Sequence, residues 1–292
     1  MLTSVPPSSG LRSLSAENTK QTYLSFDLLE DVMNLPPQKY EEIVQHAVVV
    51  RIGPLVEYAY HHYGSATKQL SQLTNNQAVN SLTNILRGSN RSRAAVDTSI
   101  KPRSIEFFKC PQTNEEVEDP NWMAFCLRLM YAGMEAGLSK EFSQALTGTF
   151  GEMTGNLQEH SEEPQTGVVG YRYSTGEFEY VVADAGIGVL ESLRGHSDYS
   201  WLSDSGEALE TAVSSGESRH GRRQLRGFGF DRLMYNIAQR NSYLRFRSGD
   251  HSYSIDGTRP TPLKKTQHCA HFQGFLICVI SRPSNKEVIR RA

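Results

Sequence analysis

Long apolar runs are missing from this chain: no stretch of its 292 residues approaches the length needed to cross a bilayer, so a helical membrane anchor is not expected. A surplus of either charge is missing as well. Lys and Arg number 30 against 32 Asp and Glu, a formal net charge of -2, which gives no global pull toward nucleic acid or an anionic membrane. Any basic function must be local. Cysteine is scarce, and Cys110, Cys126, Cys269 and Cys278 form no C-x-x-C pair, which fits reduced thiols in a cytoplasmic protein. The run His268-Cys269-Ala270-His271 looks ligand-like, but no second close cluster completes a tetrahedral set, and it reads as a strand edge. The Ser- and Pro-containing start shows neither the basic nor the apolar region of a secretory leader, so the cytoplasm is the expected location. No Lys-Ser or Lys-Thr follows a glycine loop, which removes a Walker-type phosphate site.

What is present is a change of period along the chain. Residues 1–22 are polar and Ser/Pro-rich and read as a loose arm. Residues 23–101 read as a helical N-terminal region: Pro36-Pro37 opens a helix carrying Tyr40, Ile43, Val44 and Ala47, and Val79, Leu82, Ile85 and Leu86 form a later apolar series. The stretch Arg87 to Arg93 breaks the pattern as a linker. A second unit, 102–284, opens with a short strand at Ser104–Phe108. Asp119-Pro120 then caps and starts one helix, Gly137 ends it, and Ser139 caps the next, whose apolar face is Phe142, Leu146, Phe150, Met153 and Leu157. After Pro164 the period becomes two: Val168–Tyr173, a Ser174-Thr175-Gly176 turn and Phe178–Ala183 form a hairpin. A long connection from Val189 to Arg226 holds a helix near Glu207–Ala212. Gly229–Gln239 reads as a helix, and Tyr243–Phe246, His251–Ile255 and Phe275–Ile280 read as strands. Residues 285–292 are a tail. The expected class is α+β, a mixed sheet covered by helices on one face.

Three short motifs carry the chemistry. Glu152 and Asn156 are four apart, so on a helix they share one flank, suiting a carboxylate that polarises an attacking hydroxyl or water and an amide oxygen on Mg²⁺; a solvated helix face would show the same spacing. Asp184 ends an apolar strand before Ala185-Gly186-Ile187-Gly188. It can accept a hydrogen bond from an exocyclic amine such as that of adenine, while Gly186 and Gly188 permit tight turning and close backbone approach. Gly227-Phe228-Gly229 precedes a helix whose first N–H groups can receive phosphate oxygens. Arg219, His220, Arg222, Arg223 and Arg226 lie just upstream, dense enough to neutralise a triphosphate. The same cluster also reads as a solvated basic loop, and less well as a nucleic-acid patch, because no Phe or Tyr is interleaved in it.

In this order the motifs resemble the GHKL family of ATP-binding domains, found in gyrase-type topoisomerases, heat-shock chaperones, sensor histidine kinases and mismatch-repair ATPases. Glu152–Asn156, continuing into Glu159-His160-Ser161, is similar to the N box; Asp184–Gly188 is similar to the Asp-x-Gly-x-Gly box, and Gly227–Gly229 to the later Gly-x-Gly box. The resemblance covers about Ser104 to Pro283. It implies a Bergerat-type two-layer α/β sandwich and the cofactors ATP and Mg²⁺, with Asp184 on adenine and Asn156 holding Mg²⁺. Gly186, Gly188, Gly227 and Gly229 would shape the phosphate pocket, Arg219, Arg222 and Arg223 would lie in the lid, and Glu152 would be the general base. Sensor histidine kinases usually carry an amide where Glu152 stands, and no phosphoacceptor histidine motif occurs in the N-terminal part, where His46, His61 and His62 read as helix or helix-end residues. The layout is closest to the anti-sigma-factor serine kinases. The expectation is an ATPase or serine/threonine kinase switched through an ATP lid, with a nucleotide-gated interaction module as the alternative. A protein partner or substrate is expected, a homodimer is left open, and nucleic acid and membrane are not expected.

Overall fold

The computed structural model describes residues 21–74, 76–88, 99–214, 237 and 241–284. Short helices come first: α1 (Phe26–Val32), α2 (Pro37–Gln45), α3 (Ile52–His61), α4 (Ala66–Leu70) and α5 (Gln77–Leu86). Strand β1 (Ile105–Lys109) and helix α6 (Asn114–Val117) lead to two longer helices, α7 (Pro120–Glu135) and α8 (Lys140–His160). The local signals act as their chemistry dictates. Asp119 accepts from the Asn121 N–H, Ser139 accepts from the Phe142 N–H, and Gly137 takes the left-handed conformation that stops α7 at φ 101°.

Among the described residues the sheet has five strands in the order β1-β2-β3-β5-β4, with β2 (Val168–Ser174), β3 (Glu177–Asp184), β4 (Ser242–Asp256) and β5 (Leu263–Ser281). Gly176, at φ 83°, closes the β2–β3 hairpin. Every neighbouring pair is antiparallel, so the sheet is not the mixed one expected. The excursion after β3, which includes α9 (Gly188–Arg194) and α10 (Ser205–Ala212), returns β4 parallel to β3. Strand β5 then inserts between the two and converts both contacts to antiparallel. The stretches at Tyr243–Phe246 and His251–Ile255 are one strand, β4, with a bulge between Ser248 and His251.

Alternation on the strands builds two cores. Val169, Tyr171, Tyr180, Val182, Leu244, Phe246, Ile277 and Val279 pack with α7 and α8. Val168, Val181, Ala183, Leu276, Cys278 and Ile280 pack with the N-terminal helices. The molecule is therefore three layers rather than two, because α1 to α5 occupy the face that a two-layer sandwich leaves open. Helix α3 is the centre of that layer. All of Ile52 to Tyr60 is buried, and its first N–H groups are capped from the sheet, where the Glu179 carboxylate accepts from Ile52 at 3.1 Å and Gly53 at 2.7 Å. Gly53 lets the helix come close: a Cβ there would stand 2.4 Å from Cys278 Sγ. The ligand-like run at His268–His271 lies within β5.

No helix among the described residues is long and apolar enough to cross a membrane.

Candidate functional site

Strand alternation points Asp184 toward the α8 side of the sheet, because Tyr180 and Val182 on the same strand pack there. Its backbone pairs with Phe275 on β5, and its side chain is fully buried. Oδ1 accepts the Gly186 N–H at 2.7 Å, while Oδ2 is buried with no hydrogen-bond partner. Burial pushes the Asp184 carboxyl up to about 6, against the opposing pull of the Gly186 N–H, the Ser161 hydroxyl and the Phe275 N–H. An orphaned buried carboxylate oxygen at a strand end is an acceptor waiting for a donor.

The loop that follows is strapped on three sides. Ala185 N–H donates to Thr166 Oγ1 at 2.9 Å, Ile187 N–H donates to the Ser161 carbonyl at 3.0 Å, and Val189 N–H donates to Ser248 Oγ at 2.9 Å. Ser248 in turn donates to the Gly274 carbonyl at 2.8 Å. The glycines are required by close approach within the protein itself. A Cβ on Gly186 would lie 2.1 Å from the Ser161 carbonyl oxygen, and one on Gly274 would lie 2.2 Å from the Asp184 carbonyl oxygen. Gly188 adopts φ +77°, a conformation that disfavours a side chain, and opens α9.

Ser161 is the C-cap of α8, so its contact with the loop joins two of the three sequence motifs. Asn156 and Glu152 stand on that helix about 7.5 Å and about 13.5 Å back along the axis from Ser161. Asn156 is half-buried and Glu152 exposed, and neither side chain hydrogen-bonds another described residue. The helix is fixed by Phe142, Leu146, Phe150, Met153 and Leu157 on its inner face, as the sequence expects. Among the described residues no group of three or more His, Cys, Asp or Glu side chains is arranged to hold a metal. A hard cation here would have to be held through the Asn156 amide oxygen and oxygens brought by a ligand.

The expectations for Arg219, Arg222, Arg223, Gly227 and Gly229 fall outside the described residues. Of the helix expected at Gly229–Gln239 only Ile237 is described, helical and buried in the α8-side core.

Sequence reasoning missed Thr166, Ser248 and Gly274 as parts of this site, and it gave Ser161, the last residue of the N-box-like run, no role of its own. The Gln273-Gly274 step just before the strand pattern at Phe275–Ile280 was a readable bulge signal. Nothing in the local sequence marks Thr166 or Ser248.

No family model matches the chain, and neither a curated protein nor a solved structure matches it significantly.

Proposed function

We propose that the chain binds Mg²⁺-ATP in the manner of the GHKL family and acts in the cytoplasm as an ATPase or serine/threonine kinase that works as a regulatory switch. The observation that carries the reading is the Asp184 carboxylate. It is buried at a strand end on the α8 side, with one oxygen held by Gly186 and the other without a donor. Such an oxygen suits the exocyclic amine of adenine. Direct packing of the α8 C-cap Ser161 against Gly186 and Ile187 supports the same reading, because it sets the helix bearing Glu152 and Asn156 in a fixed relation to the adenine-binding loop.

In this reading Asn156 holds the metal and Glu152, being exposed, accepts the proton of the attacking hydroxyl or water. The bound Mg²⁺ supplies charge neutralisation at the γ-phosphate. The loop of Ala185 to Gly188, held by Thr166, Ser161 and Ser248, would keep Asp184 from reorienting.

Two variants test the proposal by direct ATP-binding titration and phosphate release. Asp184→Asn turns half of the acceptor pair into a donor and should weaken ATP binding by at least about tenfold. Glu152→Ala should leave ATP affinity in place and remove turnover. Unchanged affinity in Asp184→Asn would sink the adenine assignment.

A nucleotide-gated interaction module is the second reading. It is favoured by the position of Glu152, whose exposed side chain has no hydrogen-bond partner among the described residues to orient it. ATP binding with no phosphate release and no phosphorylated partner would select it.

A further inference from the structure

Strand β1 is an edge of the sheet, and its outward side is open among the described residues. Tyr173 N–H donates to the Ser104 carbonyl at 2.9 Å and Cys110 N–H donates to the Gly167 carbonyl at 3.1 Å. In an antiparallel ladder this assigns the even-numbered residues to β2 and turns the N–H and C=O of Ile105 and Phe107 away from it. Neither residue makes a backbone hydrogen bond on that side to another described residue. Open edges of this kind invite pairing with another strand.

The sequence on either side of β1 says which strand. Lys101 and Arg103 precede it, and Glu115, Glu116 and Glu118 follow it on and beside α6; Lys101, Arg103 and the three glutamates are exposed. The exposed apolar residues are split in the same way, with Ile100 (49% exposed) before the strand and Val117 (37%) after it. Antiparallel pairing of two identical strands about Phe107 lays the segment before β1 of one copy beside the segment after β1 of the other. The basic segment of each copy then lies beside the acidic segment of the other, twice over. A pair related by a two-fold axis through the sheet also places α7 of both copies on the same side of the junction.

Helix α7 is suited to that position. Its only charged residues are Arg128, buried against Glu106 at 2.7 Å, and Glu135. Its outer face shows Met123 (56% exposed) and Leu127 (42%) one turn apart. A five-residue strand pair cannot by itself bury the roughly 800 Å² per partner that a stable interface needs, and this apolar cover extends it.

We propose that the β1 edge is a self-association surface, through which two copies form a continuous ten-stranded sheet with α7 and α6 flanking the seam. The proposal is independent of the nucleotide reading.

The test is sedimentation equilibrium of the full chain at micromolar concentrations. Ile105→Pro removes one outward N–H without touching the β2 ladder and should give a folded monomer. Lys101→Glu and Glu115→Lys should each raise the dimer dissociation constant, by at least about tenfold for the two opposed contacts, and the double charge swap should restore it. Should Ile105→Pro fail to fold by circular dichroism, the charge swap decides alone. A wild-type monomer, a dimer that none of these variants weakens, or a dimer that the double swap does not restore overturns the proposal.

Discussion

The guanidinium of Arg245 grips the Glu57 carboxylate through two hydrogen bonds, Nε to Oε2 at 2.7 Å and Nη2 to Oε1 at 2.8 Å, across the buried seam between β4 and α3. Arg247 adds a third at 3.1 Å, and Arg245 also reaches Glu30 on α1. Burial alone would raise the Glu57 carboxyl, but the two guanidinium groups outweigh it and hold its pKa below the ordinary value.

Glu57→Ala should therefore destabilise the protein by about 3–5 kcal/mol, because it leaves two buried arginines without their shared anion. Urea denaturation measures the loss. A drop below about 1 kcal/mol would mean that the seam is wet.

Asp184 gives the stability an acid-favoured component. Its folded-state pKa, about 6, exceeds the ordinary 3.8, so between these values the native state holds more protons than the unfolded chain. Stability from this group is present below pH 3.8 and is lost as pH rises through about 6, a change on the order of 2–3 kcal/mol. Comparing unfolding midpoints of wild type and Asp184→Asn across that window isolates it, and the variant should lack the slope. If the amine of adenine is the missing donor, ATP binding should strengthen over the same rise in pH.

His62 acts with the opposite sign. Its imidazole stacks on the Tyr40 ring, with Nε2 2.5 Å from the phenolic oxygen, and burial lowers its pKa from 6.5 to about 4. The unfolded chain takes up the proton first, so stability falls as pH drops from 6.5 toward 4. His62→Gln should flatten the acid limb of the pH–stability curve, which a series of thermal melts would show.

Glycine substitutions should divide by location. Gly148 and Gly151 lie inside α8 with open space where a Cβ would go, and each change to alanine should stabilise by about 0.5–1 kcal/mol. Gly186→Ala drives a methyl to 2.1 Å from the Ser161 carbonyl and should cost about 1–3 kcal/mol. Differential scanning calorimetry of the three variants checks the division.

Much of the fold was legible because its signals are local. Asp119-Pro120, Gly137, Ser139 and the turn closed by Gly176 each act within a few residues of chain, and the inward face of α8 follows from helical spacing alone. Helix α3 was blurred for a physical reason: burial on every side removes the apolar–polar alternation that marks a surface helix. Helix α9 carries no such signal, since its seven residues have no side-chain N-cap.

Local signals along the chain settle the start and stop of α7, the start of α8, the β2–β3 hairpin, the inner face of α8, and the three-motif order that suggests a nucleotide. Tertiary structure alone decided that β5 separates β3 from β4 and makes the sheet antiparallel, and that the N-terminal helices close its second face. It also decided that Ser161, Thr166, Ser248 and Gly274 build the surroundings of Asp184. The reason is range. A cap or turn is settled by neighbours along the chain, whereas Arg245 and Glu57 stand 188 residues apart and meet only through the tertiary fold.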